Sequence, residues 1–396
     1  MRQQSINIGL FGFGTVGRGL YDVLARINNS KVSIKRVCVR HLEKHTEPGI
    51  NFTDKVDDIF DDPEVNTIVE LIDDPEAAYD IVRRALSSRL PVVSGNKKML
   101  ANHLPELIAL QQLTDTALLY DASACGSIPV IRNLEEYYDN DLLLSVKGIL
   151  NGSSNFILSK IFNEGMNYAD ALALAQQLGF AESNPVLDIG GWDSLYKLII
   201  ITVHAFGIYV DPAQVFTFGI DRMNEADIRF ALEKSRRIKL VGCAEKVGNE
   251  RVALSVMPHL ISRQKYIYSV EDEFNGVVIK GLFYYKQFMF GQGAGAYPTG
   301  SAVLSDITAR LYGYQYEYKK LAADQHPEYT TDFSLRVYYR YATEEDARLL
   351  CFDRIDERYF SHDYCYVVGW LPMSELLLKA AELRQRDVFV AAFPED

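Results

Sequence analysis

S-I-N-I-G-L-F (5–11), G-F-G-T-V-G (12–17) and G-L-Y-D-V-L-A-R-I (19–27) follow one another with only Arg18 between the last two. The first stretch is short and apolar, as a buried strand is, and the third repeats its apolar residues at helical spacing. Between them Gly12, Gly14 and Gly17 make a G-x-G-x-x-G turn, with Phe13, Thr15 and Val16 at the intervening positions. Strand, turn and helix in this order let backbone approach a pyrophosphate while the helix N-terminal amides face it. Short glycine patterns recur by chance, so the weight lies in the strand before and the helix after; a tight turn without ligand is the alternative.

Working outward, a second strand fits 32–39, and further strands fit T-I-V-E-L-I (67–72), 91–94 and 117–120, with helical segments between. This alternation predicts an α/β fold with a Rossmann-type doubly wound parallel sheet over 1–130, completed by a helix near 298–318. From about 145 the texture changes, and 131–297 reads as an α+β substrate-binding and dimerisation domain. It includes a buried helix over L-I-I-I-T-V-H-A-F (198–206) and a sheet-like stretch rich in Val, Ile, Tyr and Phe over 250–290. Residues 321–396 alternate strand, helix, strand, helix and strand, which predicts a small third α+β module.

A net charge of −12 argues against nucleic acid or an anionic membrane as the main partner, since both are bound by excess Lys and Arg. Cys38, Cys125, Cys243, Cys351 and Cys365 show neither a C-x-x-C pair nor metal-ligand spacing and read mostly as buried thiols in a reducing compartment. The N-terminus enters a strand without the pattern of a signal peptide, and 198–206 is too short to cross a bilayer. The expectation is a cytoplasmic protein.

Several charged residues stand where chemistry could use them. An acid usually ends the second strand of an NAD-specific fold, whereas here Arg40 and His41 could accept a 2′-phosphate; a solvated surface charge is the other reading of Arg40. Lys97 follows the strand ending at Ser94, at the ligand-binding edge of the sheet, and could polarise a carbonyl or be a surface residue. Asp193 and Lys197 lie four apart at the start of the buried helix, with Glu182 and Asp188 on the loop before it. Spacing alone allows an ordinary salt bridge with a solvated loop. It equally allows a site in which acids hold an amine and a lysine handles the proton of a reacting oxygen.

Three blocks carry a resemblance to homoserine dehydrogenase: G-I-L-N-G-S-S-N-F-I-L (148–158), A-Q-Q-L-G-F-A-E-S-N-P-V-L-D-I-G-G-W-D-S-L-Y-K-L (175–198) and F-G-Q-G-A-G-A-Y-P-T-G-S-A-V-L-S-D-I (290–307). The likeness runs from the first strand to about 312. It implies reversible NAD- or NADP-dependent reduction of aspartate 4-semialdehyde to homoserine, on the route to threonine, methionine and isoleucine. Residue by residue, it makes Lys197 and Lys97 the cations at the reacting oxygen, with the choice between them open. It makes Asp193 catalytic and, with Glu182, substrate-holding; Asp188, Ser154 and Gly179 support the substrate. Gly12 to Gly17, Arg40, Ser94, Lys97, Gly293 and Gly295 would meet the cofactor. Oxygens of Asp121, Ala124, Gly126 and Ile128 would hold a monovalent cation such as Na⁺. The family's habit is a homodimer or higher homo-oligomer. Residues 321–396 resemble its ACT-type regulatory module in length and in S-L-R-V-Y-Y-R-Y, without the D-x-x-G turn, so threonine feedback is an open expectation. No kinase-sized segment precedes the nucleotide domain, and a bifunctional aspartokinase arrangement is not expected.

The chain departs from the family in places. Leu71, Ile72, Asp73 and Asp74 stand where glycines usually follow V-E, so the backbone near the nicotinamide could run differently. Asp121 replaces a glutamate, and Ser183-Asn184-Pro185 replaces a more acidic run. Two rival readings stand beside the main one: another amino-acid or sugar dehydrogenase on the same plan, and a non-catalytic NADPH-binding sensor.

Overall fold

The structure is a computed structural model that describes residues 5–27, 30–138, 142–248, 250–323, 326–362 and 364–394. The chain divides into two compact units, Met1–Asp139 with Gln292–Lys319, and Asn140–Gly291 with Lys320–Asp396.

The first unit runs β1 (Ile6–Phe11), α1 (Thr15–Ile27), β2 (Val32–Cys38), β3 (Phe52–Thr53), α2 (Asp57–Phe60), β4 (Thr67–Glu70), α3 (Pro75–Ser87), β5 (Val92–Ser94), α4 (Lys97–Thr114), β6 (Leu118–Leu119), α5 (Ala122–Cys125) and α6 (Val130–Glu136). Its six strands are all parallel in the order β3-β2-β1-β4-β5-β6. The order reverses between β1 and β4, and that switch point is where doubly wound sheets bind ligands. Ile8, Leu10, Ile68, Val69, Val92 and Val93 are fully buried along these strands, as a sheet covered on both faces requires. A later helix, α12 (Ala296–Ala309), returns to pack on α1; a Cβ at Gly19 would strike the Ala296 carbonyl, so the two backbones touch there.

The second unit holds β7 (Leu143–Ile149), α7 (Gly152–Glu164), α8 (Tyr168–Gln177), α9 (Val186–Ile189), α10 (Trp192–Phe206), β8 (Phe216–Thr217), α11 (Glu225–Glu233), β9 (Arg236–Val247), β10 (Arg251–Ser262), β11 (Phe274–Gly281) and β12 (Lys286–Gln292). After α12 the chain re-enters it with β13 (Glu328–Tyr329), β14 (Ser334–Tyr341), α13 (Glu344–Ala347), β15 (Arg354–Phe360), β16 (Cys365–Pro372), α14 (Met373–Gln385) and β17 (Phe389–Ala392). One sheet runs β12-β11-β7-β9-β10-β17-β14-β16-β15, with β8 and β13 also on β10. Every residue of α10 from Leu198 to Phe206 is buried, as its apolar run predicts.

Residues 321–396, read from the sequence as a module of their own, fall in this second unit, and β17 pairs with β10 at His259 and Ala392. From β14 to β17 they form a β-α-β-β-α-β pattern in the order β17-β14-β16-β15. Arg340 of β14 is fully buried and donates Nε to both carboxylate oxygens of Asp227 on α11 at 3.0 and 3.1 Å, while the Tyr338 hydroxyl donates to Oδ1 at 3.0 Å. A guanidinium can enter a core only against a carboxylate that takes its donors in this way.

Candidate active site

In the first unit the glycine-rich turn divides its work among its three glycines. Gly12 has φ +92°, and a Cβ there would press on the Leu71 carbonyl; one at Gly17 would strike the Gly12 carbonyl. A Cβ at Gly14 would meet open space, so the middle glycine leaves room for a ligand against the backbone. Thr15 and Val16 open α1, whose first turn carries no acid to oppose a phosphate, and Phe13 is buried against Phe52 and His45.

Residues 71–74, where the usual glycines are missing, are held by a carboxyl that the sequence reading passed over. Glu70 is fully buried at the end of β4; its Oε1 accepts the Ile72 N–H at 2.8 Å and its Oε2 the Ser94 hydroxyl at 2.6 Å. Burial, reinforced by the charge of Asp73, pushes its pKa up to about 7 although both hydrogen bonds pull it down. Ser94, expected at the cofactor, is thus bound to Glu70 and accepts the Asn96 N–H at 3.2 Å. Asn96 caps α4 through Met99 and donates to the Ile72 carbonyl at 3.0 Å, so Lys97 is the first residue of a fixed helix. The signal for Glu70 was an acid ending an otherwise apolar strand.

Arg40 is 76% exposed by its side chain, 3.7 Å from Asp74, which caps α3. Gly295 precedes α12 with φ +120°, and Gly293 abuts Gly126, where a Cβ would strike its backbone. Asp121, Ala124 and Gly126 belong to the turn of α5, and Ile128 follows it, its N–H donating to the Cys125 carbonyl at 3.0 Å. The Asp121 carboxylate accepts the N–H groups of Ile131 and Arg132 at 2.8 and 3.1 Å, and Asp306 bridges the Asp121 N–H and the Arg132 guanidinium at 2.9 and 2.7 Å. Burial, and for Asp306 the charge of Asp121 as well, pushes both carboxyls up. Among the described residues no group of three or more His, Cys, Asp or Glu is placed to hold a metal ion.

In the second unit Asp188, Asp193, Lys197 and Ser154 meet at the start of α10, whereas no hydrogen bond or ion pair joins Glu182 or Gly179 to them among the described residues. Lys197 and Asp193, one turn apart and only 6% and 5% exposed by their side chains, pair at 2.8 Å, and Lys197 Nζ also donates to the Leu150 carbonyl at 2.7 Å. Asn151, which the sequence reading left without a role, ties the cluster together. Its amide donates to Asp188 Oδ1 at 2.7 Å and to Asp193 Oδ2 at 3.0 Å, while its Oδ1 caps α7 through the Ser154 N–H at 2.8 Å. Ser154 is buried, its hydroxyl 3.3 Å from the Asn151 carbonyl. Gly179 ends α8 with φ +78° and space around it, and Glu182 is exposed. Burial of an ammonium is costly without partners, and here two oxygens meet two of its three N–H groups. The third can serve an incoming oxygen.

A dinucleotide-type turn at a sheet switch point, carried in one chain with a buried lysine paired to a carboxylate, defines an NAD(P)-dependent oxidoreductase. The comparisons then narrow the class. The family model described as homoserine dehydrogenase matches residues 129–308, and that of the homoserine dehydrogenase NAD binding domain matches 12–121. The homoserine dehydrogenase of Bacillus subtilis is 35% identical over 316 residues, 77% of this chain and 73% of that protein; that of Helicobacter pylori is 35% identical over 312 residues, with the same shares. Among solved structures, a homoserine dehydrogenase from Thiobacillus denitrificans superposes with a TM-score of 0.85 at 30% identity, covering 99% of both chains. A hyperthermophilic archaeal homoserine dehydrogenase in complex with NADPH has the same fold, with a TM-score of 0.68 at 24% identity over 79% of this chain and 99% of that one. The chain belongs to the homoserine dehydrogenase family.

Proposed function

We propose that the chain catalyses the family's reaction, the reversible reduction of L-aspartate 4-semialdehyde to L-homoserine, and that Lys197 moves the proton at the substrate oxygen. The observation that carries this is the third N–H of a buried ammonium whose other two are fixed by Asp193 and Leu150. Asp193 orients Lys197 and is itself oriented by Asn151, as is Asp188. The substrate ammonium falls to Glu182 with help from Asp193 and Asp188, while Ser154 and Gly179 border the substrate. Lys97 is the second cation toward the reacting oxygen.

Bound NAD(P)H supplies the hydride to the aldehyde carbon. Gly12 to Gly17 would hold its pyrophosphate, Arg40 the 2′-phosphate of NADP, and Ser94, Gly293 and Gly295 its nicotinamide half. Positive charge placed in advance beside the developing alkoxide supplies most of the acceleration. A monovalent cation suits the oxygen-only donor set of Asp121, Ala124, Gly126 and Ile128, supported by two buried carboxyls tied to Arg132, Asp306 through its guanidinium and Asp121 through its backbone N–H. Its role is structural.

A homodimer through the second unit is favoured by the place of β12 at the end of the sheet among the described residues and by exposed Tyr266, Phe283, Tyr285 and Phe290 near it. The β-α-β-β-α-β pattern of the last strands supports the ACT-like reading of 321–396. Among the described residues no helix is long and apolar enough to cross a membrane, and a cytoplasmic setting is proposed.

The test is oxidation of homoserine by purified protein, followed at the reduced-nicotinamide absorbance with NADP and NAD in parallel, for the parent and Lys197→Ala. Loss of a general acid predicts a fall of roughly 10²- to 10⁴-fold in kcat with folding intact. Near-normal turnover in the variant refutes the assignment, and tight NADPH binding without turnover in the parent selects the sensor reading.

A further inference from the structure

Asp193 and Lys197 sit on the first turns of α10, so whatever fixes the start of that helix fixes them. The corner Gly190-Gly191-Trp192 has no capping side chain, and Gly191 turns there with φ +86°. The corner rests instead on the segment 217–220. A Cβ at Gly191 would meet Thr217 at 3.3 Å, a Cβ at Gly219 would strike the Ile189 carbonyl, and Ile220 N–H donates to that carbonyl at 2.7 Å.

The other side of this segment is held by α14, which lies beyond the last residue matched by either family model. Arg384 donates Nε and Nη2 to the Thr217 carbonyl at 3.0 and 2.7 Å, and its guanidinium lies 4.9 Å from the Trp192 ring centroid. Its own carbonyl accepts Arg222 Nη2 at 2.7 Å, and the Arg222 carbonyl accepts the buried Arg340 Nη2 at 2.8 Å. A planar, always-charged fork that both pairs and stacks is the part arginine plays and lysine does not.

We propose that Arg384 is a positioning residue for the reaction: through Thr217 and Trp192 it sets the start of α10 and with it the placement of Asp193 and Lys197. The inference rests on the reading of those two residues as the substrate site. It gives the C-terminal strands and α14 a direct mechanical hold on that site.

The experiment uses the full chain in a Trp370→Phe background, which leaves Trp192 as the sole tryptophan. Arg384→Ala, Arg384→Lys and the background are compared for homoserine KM, cofactor KM, kcat and Trp192 emission, with Lys197→Ala as a control. Losing a two-donor charged hydrogen bond and its stacking partner predicts about a tenfold change. It is read as a higher homoserine KM or lower kcat, with cofactor KM unchanged and Trp192 emission moved to longer wavelength. Lysine restores the charge but not the fork, so it recovers only part. Homoserine kinetics and emission equal to the background in Arg384→Ala overturn the proposal, as does a matching loss in both substrates' KM, the mark of general damage. If the alanine variant does not fold, the lysine variant decides: a homoserine-specific defect supports the proposal and background behaviour overturns it. An active Lys197→Ala would refute the site reading instead.

Discussion

Replacing Glu70 by Gln should stabilise the protein increasingly as pH rises above about 5 and change little below that. The folded carboxyl has a pKa of about 7 against an ordinary value of 4.5, chiefly because it is buried. A carboxyl raised on folding lends stability that is complete below the unfolded value and lost as pH rises through the folded one. The gap corresponds to about 3 kcal/mol, most of which the parent loses between pH 5 and pH 8.5. Gln has the shape of the protonated acid: its Oε1 can accept the Ile72 N–H and its amide can donate to the Ser94 hydroxyl, so it escapes that loss. Urea unfolding followed by far-ultraviolet circular dichroism at several pH values should show the two proteins converging near pH 5 and the variant ahead by about 2 to 3 kcal/mol at pH 8.5. Parallel curves across this range would refute the reasoning, because they would mean that Glu70 is as ionised in the fold as in the open chain.

Other outcomes follow from single contacts. Arg340→Ala leaves Asp227 buried without its guanidinium and should cost about 3 to 5 kcal/mol in urea unfolding read by tryptophan emission, less toward pH 5, since burial already raises Asp227 to about 6. Arg40→Ala should raise the KM for NADP about tenfold and leave that for NAD unchanged; equal shifts in both would remove Arg40 from the 2′-phosphate. Asn151→Ala should lose about 1 kcal/mol from the α7 cap in a thermal melt and at least about tenfold in kcat as Asp193 and Asp188 lose their shared donor.

The parts of the fold legible from sequence are those in which local pattern and burial agree. β1, the glycine turn and α1 stand where the strand, turn and helix were expected, and the buried α10 coincides with its apolar run. β9 escaped because it opens Arg-Arg-Ile-Lys, with buried Lys239 donating to the carbonyl of Val270, a partner no pattern reveals. β15 escaped for the opposite reason: as an edge strand it is exposed over most of its length and carries no apolar alternation. At the site, the resemblance pointed to the charged residues, and the structure brings Asp188, Asp193, Lys197 and Ser154 together. The neutral side chain that joins them, Asn151, reads from sequence only as a helix cap. Glu70 was visible as a letter but not as a buried anchor, because its partners at 72 and 94 come from a loop and from a different strand.

The pairing of β10 with β17 joins His259 to Ala392, roughly 130 positions apart in the chain. During synthesis β10 leaves the ribosome long before β17 exists, and the part of its edge that β8 does not cover must wait through the whole of α12 and the strands that follow. Contacts of such long range close slowly and leave apolar strand edges exposed in the interval. Cutting the chain after α12 would therefore not release a tidy catalytic core; β10 would lose β13 and β17 from that edge, and Asp227 would lose Arg340 and Tyr338.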